Sequence, residues 1–468
     1  MFATQVRKRF GCRSLRADAT SRTINLRGLA MEDASLERKG EPRPYFVASL
    51  EIWGFWKTRE LKIEFDRNVN FIIGPNGTGK TTIVNLLSAI ISGDFRALDR
   101  IDFQRASVVL SPASGAGDTV SVDVLKSGDP RSSIPQVDYK ITDSRGKELS
   151  SFSLDDLDER LAARDPQSYA RRRIMARSVV QQTLGQMVDL SWLSVHRHDS
   201  VPGERPDSAL ASPVDIKLET QANLLVRYLS KLDQRATSAF SDFQKSVFLS
   251  LLWGQEGSFD FWDEFDFDVQ KEKDDLVPIL ERFKVQRSRY QSKVDKHFEV
   301  LAAATSKTAG SKSLSSNEVV AIVNQRRIHE VVQEWTSTIN KQSDIYRMRD
   351  AFVRIMNSMF INKDVAISAT NEIAIRSGKN KSMPIKALSS GEKQLLIIMS
   401  QALLQDCKPS IFIADEPELS LHVTWQERLV DYIRELNPAA QTIFATHSPD
   451  IVGRHLDRVI DISKVFTK

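Results

Sequence analysis

Two cysteines, Cys12 and Cys407, are all that the 468 residues contain. That excludes a disulfide framework and a cysteine-rich zinc site, and it points to a reducing compartment, the cytoplasm. No stretch approaches eighteen uninterrupted apolar residues, so no membrane-spanning helix and no membrane partner are expected. The body of the chain also lacks charge of one sign. Residues 1–44 carry ten Lys/Arg against five Asp/Glu, and the remainder carries 55 against 56, so global charge does not favour nucleic-acid binding. There is no internal repeat, no H-E-x-x-H motif, no serine nucleophile elbow and no dense acidic nuclease signature. Apolar residues make up 41% and charged residues 27%, the balance of a globular protein with room for two or three domains.

The basic leader, residues 1–44, reads apart from the rest. Residues 1–30 hold seven Lys/Arg and one acid, Asp18. Such a composition suits a transit peptide, a basic arm for nucleic acid, or a flexible extension ahead of Met31; the extension is the simplest reading. Gly40–Pro44 has linker composition.

Strand signals dominate residues 45–200. Val47–Ile52 and Leu61–Phe65 bracket a turn, and Phe71-Ile72-Ile73 is a short apolar run of the kind buried on both faces of a parallel sheet. Ile83–Ile91 has helical spacing. Ser107–Ser111, Val120–Val124 and Gln136–Ile141 predict a β-meander, residues 153–190 a helix broken near Asp165-Pro166, and Trp192–Val195 a strand. Residues 201–360 differ: glycine is almost gone and apolar residues recur at three- and four-residue spacing over Leu276–Leu301 and Val319–Phe360. A helical insertion is expected there, a short antiparallel hairpin with a flexible tip at Ser306–Asn317. Strands return at Val365–Ser368 and Glu372–Arg376, and residues 361–468 resume the strand–helix alternation.

Gly74-Pro75-Asn76-Gly77-Thr78-Gly79-Lys80-Thr81-Thr82 matches G-x-x-x-x-G-K-[ST] between an apolar strand and a helix. Its glycines let backbone N–H groups close around phosphate at the positive end of the helix. Lys80 would reach the β- and γ-phosphates and Thr81 would coordinate Mg²⁺. A second apolar strand, from Ile411, ends in Asp415-Glu416, which suits a metal-binding carboxylate and a group that orients attacking water. A third, from Thr442, ends in Thr446-His447, whose imidazole is placed to contact a γ-phosphate. Leu388-Ser389-Ser390-Gly391-Glu392-Lys393-Gln394 opens a long apolar helix. Taken alone it reads as an ordinary N-cap with Glu392 in the first turn.

In this order the four segments resemble the ATP-binding-cassette ATPases: P-loop, signature at Leu388–Gln394, Walker B at Ile411–Glu416, and His447 as switch histidine. The resemblance covers about residues 46–100 and 385–455. It implies an α/β P-loop NTPase fold with an antiparallel β subdomain and an inserted helical, short coiled-coil-like domain. It also implies ATP and Mg²⁺ as cofactors, with Glu416, His447 and Lys80 as catalytic residues and Thr81 and Asp415 at the metal. Gly74–Thr82 and Ser389, Ser390, Gly391 and Glu392 would contact nucleotide, the latter four across a head-to-tail homodimer. No glutamine loop stands out; Gln181, Gln182 and His196-Arg197 are candidates, as Trp53 and Trp56 are for an adenine-stacking aromatic.

Asp415-Glu416-Pro417-Glu418-Leu419-Ser420-Leu421-His422, with Trp425-Gln426, looks like the soluble branch near the recombination, chromosome-maintenance and overcoming-lysogenisation-defect ATPases. Transporter cassettes usually carry a serine-alanine-leucine-aspartate loop there. Many relatives continue into a nuclease domain, for which no room is expected after His447. Size, insertion and that missing domain look most like the ATPase subunit of the phage anti-restriction-induced system, with the Septu defence ATPase as competitor. The resemblance implies a homodimer or higher homo-oligomer, a separate effector (a nuclease of the topoisomerase-primase type), and a phage protein as trigger. The rival reading is a DNA-repair ATPase that binds DNA through its insertion. Two further segments have two readings each. Asp260–Asp268, where acids alternate with aromatics, suits a docking surface or an inward-packed edge strand or loop; Arg171-Arg172-Arg173 with Arg177 reads as a solvated helix face before a DNA contact. Lys284–Lys296, with both charge signs, reads as a solvated helix surface.

Overall fold

The computed structural model describes residues 44–127, 136–153, 179–194, 212–250, 268–309, 313–378 and 381–467. Residues 1–43 of the basic leader, residues 154–178 of the expected helix with the Arg171–Arg177 cluster, His196-Arg197, and residues 260–267 of the acidic–aromatic run lie outside the described residues; Asp268, the last of that run, caps the helix that follows it.

The N-terminal elements are β1 (Tyr45–Phe55), β2 (Arg59–Glu64), β3 (Val69–Ile73), α1 (Lys80–Ser92), α2 (Phe95–Arg100), β4 (Arg105–Pro112), β5 (Val120–Ser127), β6 (Gln136–Asp143), β7 (Glu148–Ser153) and β8 (Leu190–Ser194). Four helices follow: α3 (Pro213–Ser250), α4 (Val269–Arg282), α5 (Arg287–Ala309) and α6 (Ser316–Met359). Then come β9 (Lys363–Ile367), β10 (Ile373–Ser377), β11 (Lys381–Met383), α7 (Ser390–Leu404), β12 (Ser410–Asp415), α8 (Val423–Leu436), β13 (Ala440–Ala445), α9 (Pro449–Val452), β14 (Val459–Asp461), α10 (Ile462–Val465) and β15 (Phe466–Thr467).

Among the described residues three sheets form. The parallel one has strand order β14-β3-β13-β12-β8, and the seven-stranded antiparallel one has order β15-β2-β1-β4-β5-β6-β7. The hairpins β9-β10-β11 make the third. Every residue of β12 and β13 is buried, as a central parallel strand covered on both faces requires. Alternation then sorts the side chains. Ile411 and Ile413 join α1 and the antiparallel sheet in one core, while Phe412 and Ala414 join α7, α8 and the end of α6 in another. The layers are pinned by Gln441 on β13, whose side chain accepts from Val47 N at 2.9 Å and donates to Val47 O and Asp66 O, each at 2.8 Å. This is the expected α/β P-loop architecture with an antiparallel subdomain and a helical insertion.

The insertion departs from the expected hairpin. Leu276–Leu301 is two helices, broken after α4 where Lys284 turns left-handed at φ 55°. Lysine carries no turn signal of its own, so periodicity alone runs through the break. The expected flexible tip is half helix, since α5 runs to Ala309 and α6 starts at Ser316. Buried Phe243 and Trp335, with the exposed ring of Phe283 packed against both, close the outer end of α3 against α4 and α6. At the inner end Leu218 and Leu225 of α3 and Phe352–Met359 of α6 enter the second core.

Candidate nucleotide-binding site

All the candidate chemistry issues from one edge of the parallel sheet. The register sets Ile72 of β3 opposite Ala445 of β13, Ala445 opposite Asp415 of β12, and Asp415 opposite Ser194 of β8. Residues just beyond those four positions therefore share the carboxyl edge, where ligands bind in open parallel sheets.

β3 runs into the P-loop, and Gly79 caps α1 with a left-handed φ of 99°. A Cβ there would also stand 3.0 Å from the Trp56 ring, so glycine is required on both counts. Lys80, only 4% exposed, donates to Gly74 O at 2.8 Å and Pro75 O at 3.2 Å. Burial holds its ammonium below the usual lysine range, against the opposing pull of Glu416, Asp415 and Glu418. That is a cation held ready among carbonyls, facing a cluster of acids.

Thr81 Oγ1 donates to Asp415 Oδ1 at 3.0 Å, which brings two hard oxygen ligands together at the start of α1 and the end of β12. Their chemistry and spacing fit Mg²⁺. Glu416 has a left-handed backbone, φ 46°, held by its N–H donating to Ala445 O at 2.8 Å. Such conformations in a non-glycine residue are costly and gather at functional sites. His447 Nε2 lies 3.8 Å from Glu416 Oε1, and His447 Nδ1 lies 3.5 Å from Lys80 Nζ. Lys80, Thr81, Asp415, Glu416 and His447 thus form one cluster.

The signature residues contribute no hydrogen bond to that cluster among the described residues. Ser389 caps α7: its N–H and hydroxyl both donate to Glu392 Oε2 at 2.8 Å, and Glu392 N donates back to Ser389 Oγ. Burial pushes the Glu392 carboxyl up, but hydrogen bonds from Lys363 and Ser389 outweigh it and hold it below the usual range. Glu392 is therefore occupied within its own chain; what the segment offers outward is backbone N–H and small side chains. A Cβ on Gly391 would meet Ser420 O at 2.3 Å, so the turn after Walker B packs directly beneath it. Among the described residues no hydrogen bond or ion pair joins Ser389–Glu392 to the P-loop of the same chain.

Two weaker expectations sort out. Gln181 Nε2 donates to Ser92 O at the far end of α1, and at about 1.5 Å per residue that is the wrong end of the helix for a phosphate contact. Gln182, on the same helical stretch, is exposed beside it. Trp56, not Trp53, borders the P-loop: it packs against Gly79 and stacks on Phe55, while Trp53 lies under Arg105. Sequence spacing gave no means of choosing between them, since both follow the same apolar strand.

The family described as "AAA domain, putative AbiEii toxin, Type IV TA system" matches residues 69–453. The chain belongs to this family. Its matched span runs from β3 to the end of α9, so it holds the whole clustered site and the insertion. Among curated relatives of this AAA-domain protein, the "Retron Vc95 probable ATPase" of Vibrio cholerae is 23% identical over 86% of this chain and 70% of that one. The oligopeptide transport ATP-binding protein AmiE of Streptococcus pneumoniae is 30% identical over 21% of this chain and 27% of that one. The glutathione import ATP-binding protein GsiA of Pectobacterium atrosepticum is 39% identical over 16% of this chain and 12% of that one. The chain thus spans only a small part of these two transport proteins. An Smc head domain from Pyrococcus furiosus superposes over 87% of this chain and 91% of that one, with TM-score 0.38 and 12% identity. No described helix is long and apolar enough to cross a membrane.

Proposed function

We propose that this AAA-domain protein hydrolyses ATP to ADP and phosphate and uses the cycle to control a separate effector protein in antiphage defence. The observation that carries the reading is the convergence of Lys80, Thr81, Asp415, Glu416 and His447 on one sheet edge. Backbone N–H groups of Gly77–Thr82 hold phosphate oxygens, and Lys80 neutralises β- and γ-phosphate charge. Thr81 and Asp415 would hold Mg²⁺, which supplies further charge neutralisation on the phosphates when bound. Glu416 orients the attacking water and takes its proton; His447 hydrogen-bonds the γ-phosphate. Trp56 flanks the base.

Ser389, Ser390 and Gly391 make no hydrogen bond to their own P-loop among the described residues, which supports a homodimer, or higher homo-oligomer, in which each signature faces the partner's nucleotide. The root of the insertion is tied to that signature. Lys393 Nζ pairs with Asp215 at the start of α3 at 2.7 Å, and Lys386 with Glu219 at 3.1 Å. Seating α7 on a second copy's ATP would thus move α3 and the insertion with it. The toxin–antitoxin wording of the family and the likeness to a retron ATPase support a defence role. We read the effector as a nuclease of the topoisomerase-primase type and the trigger as a phage protein, as in the phage anti-restriction-induced system.

Purified chain should hydrolyse ATP only with Mg²⁺, and an effector encoded beside it should co-purify in amounts that Glu416→Gln alters. Nuclease activity intrinsic to this chain would overturn effector control. ATP hydrolysis stimulated by DNA and lost steeply with salt would replace the defence reading with a repair ATPase.

A further inference from the structure

One carboxylate outside the residues assigned above is built into the site. Glu418 Oε1 accepts three donors from a single loop: Thr446 Oγ1 at 2.6 Å, His447 N at 2.9 Å and Ser448 N at 3.3 Å. It therefore grips the backbone of His447 and leaves the ring free. Thr446 is wholly buried and its own N–H donates to Ile72 O, so the loop is anchored on β3 as well.

A second tether runs beside the first. Ser448 Oγ donates to Gln426 Oε1 at 2.7 Å, and Gln426 Nε2 donates to Leu421 O at 2.9 Å. Between the two tethers lies Ser420, left-handed at φ 68°, with its carbonyl under Gly391. Leu421 N closes that turn on Glu418 O at 2.9 Å. The turn beneath the signature glycine and the loop bearing His447 are thus joined through two side chains, Glu418 and Gln426.

Building on the proposed role of His447, we propose that Glu418 is a positioning residue: it fixes His447 against Lys80 and Glu416 and couples it to the Ser420 turn. The ring of His447 stands 3.5 Å from Lys80 Nζ and 3.8 Å from Glu416, so a shift of its backbone alters both relationships at once. A signature helix pressed onto a second copy's nucleotide bears on Ser420, and the displacement reaches His447 through one residue on each tether. Hydrolysis then follows docking of the two copies. The plainer role is a cap for α9, whose N-cap is Ser448; such a cap would support the fold without acting through His447.

The two roles separate in a double-mutant cycle on the full chain, with steady-state hydrolysis and mant-ATP binding measured for wild type, Glu418→Gln, His447→Ala and the pair. Glu418→Gln keeps one oxygen for the donors but loses the charge, so kcat should fall about tenfold while mant-ATP affinity stays within about threefold. The pair should be no slower than His447→Ala alone, because Glu418 acts through that histidine. A kcat for Glu418→Gln within about twofold of wild type, or losses that multiply in the pair, would overturn the proposal. Glu418→Ala serves only as a harsher comparison, and melting curves show whether Glu418→Gln is folded. If wild type fails to hydrolyse ATP, the ATPase reading falls by itself. Glu418 is then tested by ¹⁵N NMR of the His447 ring: its signals should move in Glu418→Gln, and unmoved signals would refute the coupling.

Discussion

Thr81 Oγ1 and Asp415 Oδ1 share a 3.0 Å hydrogen bond across the gap between the P-loop helix and β12. A cation held there, as proposed, would take both oxygens and replace that bond. Thr81→Ala and Asp415→Ala should therefore weaken nucleotide binding chiefly when Mg²⁺ is present, and Thr81→Ser should behave as wild type. Titrating mant-ATP with Mg²⁺ and then with EDTA reads the difference; equal losses with and without Mg²⁺ would refute the assignment.

Lys80 is a buried cation whose pKa is depressed by burial. Between its depressed pKa and the ordinary 10.5 the folded chain binds fewer protons than the unfolded one, and below both values the buried charge costs stability in full, neutral pH included. That cost fades as pH rises through the depressed pKa toward 10.5. Lys80→Met should melt no lower than wild type at neutral pH, with any advantage shrinking in alkaline buffer. The same variant should lose nucleotide affinity by about tenfold or more, as a charge-assisted phosphate contact implies. Melting over a pH series and mant-ATP titration check the two halves.

Glu416→Gln keeps the shape of the side chain and removes its basicity. Turnover should fall by about 10²–10⁴-fold with ATP still bound, and the nucleotide-held dimer should persist longer. Single-turnover hydrolysis with light scattering follows both. Equal loss of ATP affinity in Glu416→Gln and Asp415→Ala would show that the two acids do not divide the work.

Gly391 has no room for a side chain, because a Cβ meets backbone and not a movable side chain. Gly391→Ala must displace the Ser420 turn, at a cost of about 1–3 kcal/mol in stability. Its P-loop should still bind nucleotide while hydrolysis stops. Mixed with Lys80→Met, it should regain partial activity, since mixed dimers carry one undamaged composite site. No recovery in demonstrated mixed dimers would refute composite sites.

Trp335 lies within 5.2–6.3 Å of Phe243, Phe283 and Phe240, midway along α6 where it meets α3 and the end of α4. Trp335→Ala should cost about 3–5 kcal/mol there, while mant-ATP binding at the sheet edge remains. Hydrogen exchange should localise the loosening to α3, α4 and α6.

Much of this was legible from sequence where a local pattern has a single outcome. The run Phe71–Ile73 before a glycine-rich loop, and the apolar strands ending at Asp415 and His447, fix the parallel sheet and its order of use. The meander over β4–β6 was equally plain, from its β-branched composition. Other features carry no local signature. The left-handed turn at Lys284 has no glycine to announce it. Trp53 and Trp56 are separated only by which one folds back on Gly79. The grip of Glu418 on residues 446–448 spans about thirty positions and appears only when β12 and β13 lie side by side. Glu392 shows the converse: its spacing reads as a cap, and capping is the bond it makes.

Gln441 locks the two sheets of the core together, so little give is available between them. The insertion is the long member of the molecule. At about 1.5 Å per residue, the 44 residues of α6 reach about 66 Å, and the 38 of α3 about 57 Å. Pivoting at the Lys393–Asp215 pair, a tilt of about 5° would carry the far end of such an arm through about 5 Å, close to one helical turn. A change too small to notice around the phosphates would arrive at the outer end as a step large enough to catch or free whatever rests there.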